Sequence, residues 1–409
     1  MALVWFRRDL RVHDHPPLRA ALDAHERVVP VFVLDERLLA RSPSRAAFML
    51  DCLRELRDAL RARGGELFVR TGRPEVVLPE LARETGSRAI YYAPDVSPFA
   101  VARDRAVAAA LEAHAVPGNF IAAVEKPYVV FTPFWRAWSQ IPRREVYGAP
   151  RKVPVPARLA AGRIPSVESE LPKPLPAGEK EARRRMHAFD ARAYEARHDR
   201  VAGGTSTLSP YLHFGCISAA ELEQRVSEPA FRRQLAWRDF YAQVLLHHPA
   251  NLRRAFRPEL DAIEWTGSDA DFAAWKQGRT GFPLVDAGMR QLAATGWMHN
   301  RARLVAASFL AKDLHVDWRR GEAHFMRLLL DGDVAQNNGN WQWVASVGVD
   351  PAPMQRRLYN PELQRRRHDP DEAYVRRWIP ELGDGYPEPI VEHAVERRAA
   401  IAAYRAAKL

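Results

Sequence analysis

Residues 331–346 read DGDVAQNNGNWQWVAS. Two acids flank a glycine, two asparagines stand side by side, and two tryptophans are separated by one glutamine. Packing alone seldom calls for carboxylates, amides and indoles in so short a run. Together they suit an aromatic, redox-active ligand with a polar edge. Three other segments carry comparable mixtures. GGTSTLSPYLHFG (203–215) has a glycine turn and four hydroxyls within five residues. Hydroxyls and backbone N–H groups at a helix start suit a phosphate or pyrophosphate, and an ordinary capped loop is the competing reading. QLAWRDFYAQVLLHHP (234–249) sets an indole, a guanidinium and a carboxylate side by side, with Trp237 and Tyr241 four apart on one helix face. In TGWMHNRARLVAASFLAKDLHVDW (295–318), Asn300 and Arg303 are three apart, so one helix can point both into one pocket.

Hydrolytic and metal chemistry have no matching pattern. GxSxG, HExxH and Walker sequences are absent, and the 14 histidines fall in no metal-ligand spacing. Cys52 and Cys216 are the only cysteines, and as isolated residues they read as buried structural thiols of a reducing compartment.

These segments need elements to position them. ALVWF (2–6), VVPVFVL (28–34), ELFVR (66–70), RAIYYA (88–93) and NFIAAV (119–124) are short β-rich runs. Between them, residues 44–63 repeat apolar side chains at helical spacing, and 98–114 also read as a helix. Alternation of this kind predicts a five-stranded parallel α/β (Rossmann-like) domain over 1–128. No GxGxxG follows the first run, so a dinucleotide site there has no support. A segment rich in proline between 148 and 178 has no periodicity and reads as a stiff connector within 129–180. From 181 to 409 the pattern is helical, with helices predicted at 181–194, 218–226, 230–247, 269–277, 283–295, 300–314 and 321–330. Eight of the eleven tryptophans lie in this half. Core packing explains any one of them; eight together point to a cofactor or to base stacking.

Net charge is +11, with 61 Lys and Arg against 50 Asp and Glu, which favours nucleic acid or another anionic partner. Neither a signal peptide nor an apolar run of membrane-spanning length is present, so the expectation is a cytoplasmic protein, monomeric and off the membrane.

Taken in order, the segments resemble the DNA photolyase/cryptochrome family, most of all its class I cyclobutane pyrimidine dimer photolyases. LVWFRRDLRVHDHPPL (3–18) resembles the family's opening strand and turn, and VVFTPFWRAW (129–138) the close of its first domain. GTSTLSPYL, LAWRDFY, TGWMHNRAR, DGDVAQNNGNWQW and YNPELQRRRHDPD match in order and spacing. The resemblance implies an α/β antenna domain, a long linker and a C-terminal helical domain that binds FAD and damaged DNA. It implies that Tyr194, Thr205, Ser206, Thr207, Leu208 and Ser209 hold the FAD phosphates and ribose, with Phe231, Gln234 and Arg238 nearby. Asn300 and Arg303 would approach the flavin, Arg303 paired to Asp331. Gly332 and Asp333 would lie along the cofactor, and Asn337 would face flavin N5. An amide can accept from N5–H, and a guanidinium near the opposite edge would stabilise an anionic reduced ring. Trp341, Trp318 and Trp265 match the family's electron relay. Trp237 and Trp343 match the indoles of the lesion pocket, beside Leu304. Arg301, Arg356, Arg357 and Arg365–Arg367 are candidates for DNA phosphates. A second, antenna chromophore is expected to be of deazaflavin rather than folate type.

Several positions depart from the dimer-repair pattern. Gln234 stands where a carboxylate is usual, Leu304 where Met is usual, Phe231 where Trp is common, and PMQRRLYNP (353–361) where a PYFR pattern is usual. They cluster at the lesion side and leave two readings open: light-driven repair, or a light sensor with weak or altered repair.

Overall fold

In the computed structural model, which describes residues 1–407, the chain forms a parallel sheet domain followed by a helical domain. The sheet comprises β1 (Ala2–Phe6), β2 (Val28–Leu34), β3 (Phe68–Thr71), β4 (Ala89–Tyr92) and β5 (Glu112–Ala115). Its order is β3-β2-β1-β4-β5, with every neighbouring pair parallel. β1 and β2 are buried along their whole length, as strands covered on both faces by helices must be, and this is why their sequences are continuous apolar runs. The covering helices are α1 (Pro16–Ala24), α2 (Pro43–Arg61), α3 (Pro74–Thr85) and α4 (Pro98–Ala108). Each opens on proline, whose fixed φ suits the first helical turn and whose missing N–H is not needed there. His15, Ser42 and Ser97 cap three of them with a side-chain acceptor.

The fifth strand is not where the sequence suggests. Residues 98–114 do not form one helix. α4 stops at Ala108, and Glu112–Ala115 supplies the edge strand. Its sequence EAHA is polar and open to solvent, so it carries no apolar signal. NFIAAV (119–124) is irregular because its backbone donors are taken elsewhere: the N–H groups of Ile121 and Ala122 donate to Asp239 Oδ2 at 2.9 and 3.2 Å.

After α5 (Phe131–Gln140) the chain runs to residue 178 with no helix or strand. It crosses the sheet domain and bonds to it: Val28 N donates to Pro154 O (2.9 Å) and Val69 N to Ala161 O (2.7 Å). The helical half contains α6 (Pro229–His247), α7 (Pro283–Thr295), α8 (Asn300–Lys312), α9 (Trp318–Leu328) and α10 (Val334–Val344), which build the site. Two predicted helices shift. The one expected at 181–194 spans Glu179–Ala188, and Asp190 then caps a short turn through Arg192 N (3.1 Å). The one expected at 321–330 begins at Trp318, because Asp317 caps it through Arg319 N (2.9 Å). Cys52 and Cys216 are free and buried, their sulfurs 3.5 Å apart across the domain boundary. Among the described residues, no helix is long and apolar enough to cross a membrane.

Helices α9 and α10 approach closely at Gly321. A Cβ there would lie 2.2 Å from Trp341 Cη2 and 2.4 Å from Leu310 Cδ2. Alanine improves intrinsic helix propensity by about 1 kcal/mol. Overpacking against a buried indole typically costs about 1–3 kcal/mol. Gly321→Ala should therefore lower the urea midpoint of unfolding, with a net loss of up to about 2 kcal/mol.

Candidate flavin and nucleic-acid site

α8, α9 and α10 converge on a cleft of about 80 Å³. Asn300, Arg303 and Leu304 enter from α8, Phe325 from α9, and Asn337, Asn340 and Trp341 from α10, while Asp331 sits just before α10. Helical spacing explains the grouping. Asn300, Arg303 and Leu304 are three and four apart, as are Asn337, Asn340 and Trp341. Arg303 and Asp331 form a two-pronged ion pair, Nη1–Oδ1 3.1 Å and Nη2–Oδ2 2.8 Å. Asn337 is buried, and its Nδ2 donates to the backbone oxygen of Glu322 (3.0 Å). This bond decides which end of the amide is spoken for: Nδ2 is committed, and Oδ1 remains as an acceptor. The walls are apolar: Phe325, Leu329, Ala307 and Val344. Such a lining fits a flat heteroaromatic ring with a polar edge.

A second, open cavity of about 270 Å³ lies at the 203–209 loop. Thr205 and Ser206 face Arg184, Arg185 and Arg197 across it, a donor set suited to phosphate oxygens. Thr207 adopts φ +52°, and its Oγ1 accepts from Arg185 Nη1 (2.8 Å). Trp297 Nε1 donates to Ser209 Oγ (3.2 Å), joining this loop to the segment that starts α8. Tyr194 is buried edge-on to Phe231, ring centroids 5.1 Å apart. His299 caps α8, its Nδ1 accepting from Arg301 N (3.1 Å). Burial pushes its imidazole down to about 4, so the ring is neutral, and its buried Nε2 has no partner among the described residues. The residues thus fit a dinucleotide with phosphates at 205–209 and an aromatic ring near Asn337.

Other expected residues lie elsewhere. Arg238, Gly332 and Asp333 line a different cavity, of about 320 Å³, between the two domains. Asp333 is occupied at both oxygens: Oδ1 accepts from Gln336 N (2.8 Å) as the cap of α10, and Oδ2 pairs with Arg8. These three thus line the inter-domain cavity, which shares Gln336 with the cleft. Arg357 is corrected as a phosphate contact, because it is 3% exposed and its guanidinium pairs with Asp350 (2.6 Å). Arg356, Arg366 and Arg367 are exposed, whereas Arg301 is tied to Asp199 (2.6 Å). Gln234 is exposed on α6. Trp237 stacks on Phe131 at 3.7 Å, nearly parallel.

Among the three relay candidates, Trp341 and Trp318 are buried and Trp265 is half-buried against Tyr404. The ring partners of Trp341 are Phe325 (5.0 Å) and Trp275 (6.3 Å), and Trp341 also packs against Gly321 of α9, the helix that Trp318 begins. The sequence reading missed His299, Phe325, Asn340 and the arginine rim. His299 sits in a motif already singled out, but Arg184 and Arg185 follow Glu181 as ordinary helix-surface ion pairs, and only folding brings them to the 205–206 turn.

A five-stranded parallel sheet domain is joined to a helical domain whose cleft sets polar groups among apolar walls, with a further cavity between the two domains. Comparison with known proteins gives the family. Residues 2–157 match the model described as DNA photolyase, and 231–384 that of the FAD binding domain of DNA photolyase. The deoxyribodipyrimidine photo-lyase of Streptomyces griseus is 42% identical, with 97% of each chain covered. Among solved structures, a bacterial class III photolyase from Agrobacterium tumefaciens superposes with TM-score 0.91 at 32% identity, covering 100% of this chain and 97% of that one. The archaeal photolyase from Sulfolobus tokodaii, solved with two FAD molecules, gives 0.90 at 33%, covering 99% and 100%. The chain belongs to the DNA photolyase family, and its helical half is that family's FAD-binding domain.

Glu322, whose backbone holds Asn337, has a carboxyl that accepts from Asn338 Nδ2 (3.3 Å). Burial pushes it up from 4.5 to about 7. The folded protein therefore holds this proton to higher pH than the unfolded chain does. Its contribution to stability is full below 4.5 and is lost as pH rises through about 7. Melting temperature should fall across that window, and Glu322→Gln should flatten the fall; an identical pH profile in the variant would reject it.

Proposed function

We propose that the protein reverses cyclobutane pyrimidine dimers in DNA with light, as a class I photolyase. The observation that carries this reading is the cleft that groups Asn300, Arg303, Asp331, Asn337 and Trp341. When bound, reduced FAD supplies a light-driven electron to the lesion and receives it back after the ring splits. Everything else falls to side chains. Thr205–Ser209, with Arg184, Arg185 and Arg197, hold the phosphates. Arg303, fixed by Asp331, sets a positive charge at the cleft and favours an anionic ring. Asn337 offers Oδ1 as an acceptor of a ring N–H, its amide oriented by Glu322.

Trp341 is the proximal electron source, with Trp318 and Trp265 carrying the charge outward. Burial of Trp341 and Trp318 and partial exposure of Trp265 support that direction. A dimer stacks weakly, so flipping it out of the duplex is inexpensive, and Trp237 and Trp343 receive it. Arg301, Arg356, Arg366 and Arg367 serve the phosphates and make binding salt-dependent. Leu304 lines the cleft and Gln234 is exposed on α6.

The cavity between the domains is read as the place of a second chromophore, of deazaflavin type. It lies at the carboxyl ends of β1 and β4, where the strand order reverses, which is where open α/β sheets bind ligands. Trp5, Phe32 and Phe99 supply aromatic faces, with Arg7, Arg41 and Arg103 around them.

Illumination of the photoreduced protein with dimer-containing oligothymidylate should remove the dimers. Dimers that persist with fully reduced flavin would sink repair and leave the light-sensor reading, which the amide of Gln234 in place of a carboxylate favours. Trp341→Phe should retain FAD yet slow photoreduction by more than about tenfold, since tunnelling then lacks its first short hop. An unchanged rate would reject the relay.

A further inference from the structure

The backbone turn after α10 builds a cluster that the flavin site does not use. Trp343, on α10, is half-buried. Its Nε1 donates to Asp350 Oδ2 at 2.9 Å. The same oxygen pairs with Arg357 Nη2 at 2.6 Å, and the Arg357 guanidinium carbon lies 4.2 Å from the centroid of the Trp343 ring. One carboxylate oxygen thus ties the indole edge to the cation that covers the indole face.

Both partners are themselves anchored. The carbonyl oxygen of Arg357 accepts from Lys312 Nζ (2.8 Å) and Ser308 Oγ (2.9 Å), both on α8. Asp350 Oδ1 accepts from Ala352 N (2.8 Å). Arg357 is 3% exposed, so its charge is withdrawn from solvent and its contact with the ring is strengthened accordingly. Trp237, the other indole assigned to the lesion, has one face covered in the same manner by Phe131, at 3.7 Å and 5°. One face of each indole is therefore already covered within the fold.

We infer that Asp350 and Arg357 are positioning residues for the flipped-out pyrimidine pair: they lock the edge and cover one face of Trp343, so that only its other face meets the lesion. The inference rests on the proposed role of Trp343 in lesion binding and adds what makes that indole selective. A stacking surface held in advance loses little freedom on binding, so the pair should act on affinity for damaged DNA rather than on phosphate contacts.

The test uses the FAD-loaded protein, labelled with 5-fluorotryptophan. Trp343→Phe identifies the Trp343 fluorine signal. The probes are an oligothymidylate carrying one dimer and the same oligothymidylate undamaged. Arg357→Met should lower affinity for the dimer about tenfold, the scale of a desolvated cation–π contact. It should leave undamaged binding within about twofold and shift or broaden the Trp343 signal. Arg357→Lys, which keeps the cation, should recover dimer affinity to within about threefold. Asp350→Asn, a second route should Arg357→Met fail to fold, should produce the same selective loss. Unchanged dimer affinity in Arg357→Met or in Asp350→Asn would overturn the inference. Equal losses on both probes would overturn it as well, by marking a general structural role. Should the unmodified protein not prefer the dimer at all, the repair reading falls, and an unperturbed fluorine signal in Arg357→Met then overturns the clamp independently.

Discussion

The interaction on which the rest depends is the Asp333 carboxylate. One oxygen caps α10 through Gln336 N, and the other pairs with Arg8, which follows β1 in the sheet domain. Arg8 in turn reaches Asp95 and donates to the carbonyl oxygen of His213. A single acid therefore starts the helix that carries Asn337, Trp341 and Trp343 and fastens that start to the other domain. Burial works against these charges, yet Arg8 holds Asp333 below the usual carboxylate range. Removal of either partner would strand a largely buried charge, a costly defect.

From that start, α10 presents three different surfaces. Asn337 and Trp341, four apart, face the flavin cleft together with Asn340. Gly339 has no side chain because Tyr241 of α6 occupies the space, its Cδ1 2.2 Å from where a Cβ would be. Trp343 emerges two residues past Trp341, on a different side of the helix, and meets the turn that holds Asp350. The helix lines the cleft, packs on α6 and reaches the Asp350 turn at once, and its sixteen-residue neighbourhood accordingly mixes acids, amides, a glycine and indoles.

Legibility followed the strength of local signals. β1 and β2 are continuous apolar runs, and the 230–247 and 283–295 helices are long and periodic; all four stand where the sequence places them, within a residue or two. The fifth strand is polar, so periodicity had nothing to register, and the apolar run at 119–124 was claimed by Asp239, more than a hundred residues away. Within the site, spacing on one helix was enough to unite Asn300 with Arg303. Which cavity Arg238 and Asp333 line was not legible there, because that depends on which face of each helix the domain boundary covers.

By itself the sequence determined the two-part architecture, the absence of hydrolytic or metal motifs, and the motifs that identify a flavin-binding family member, all of which are written in composition, periodicity and short ordered segments. Tertiary structure alone decided the partners. It committed the Asn337 amide nitrogen to Glu322 and left its oxygen free, sent Asp333 to Arg8, and turned Arg357 from a surface cation into the buried cover of an indole. Those outcomes rest on contacts between residues distant along the chain, and a hydrogen bond or ion pair exists only once folding has brought donor and acceptor within about 3 Å.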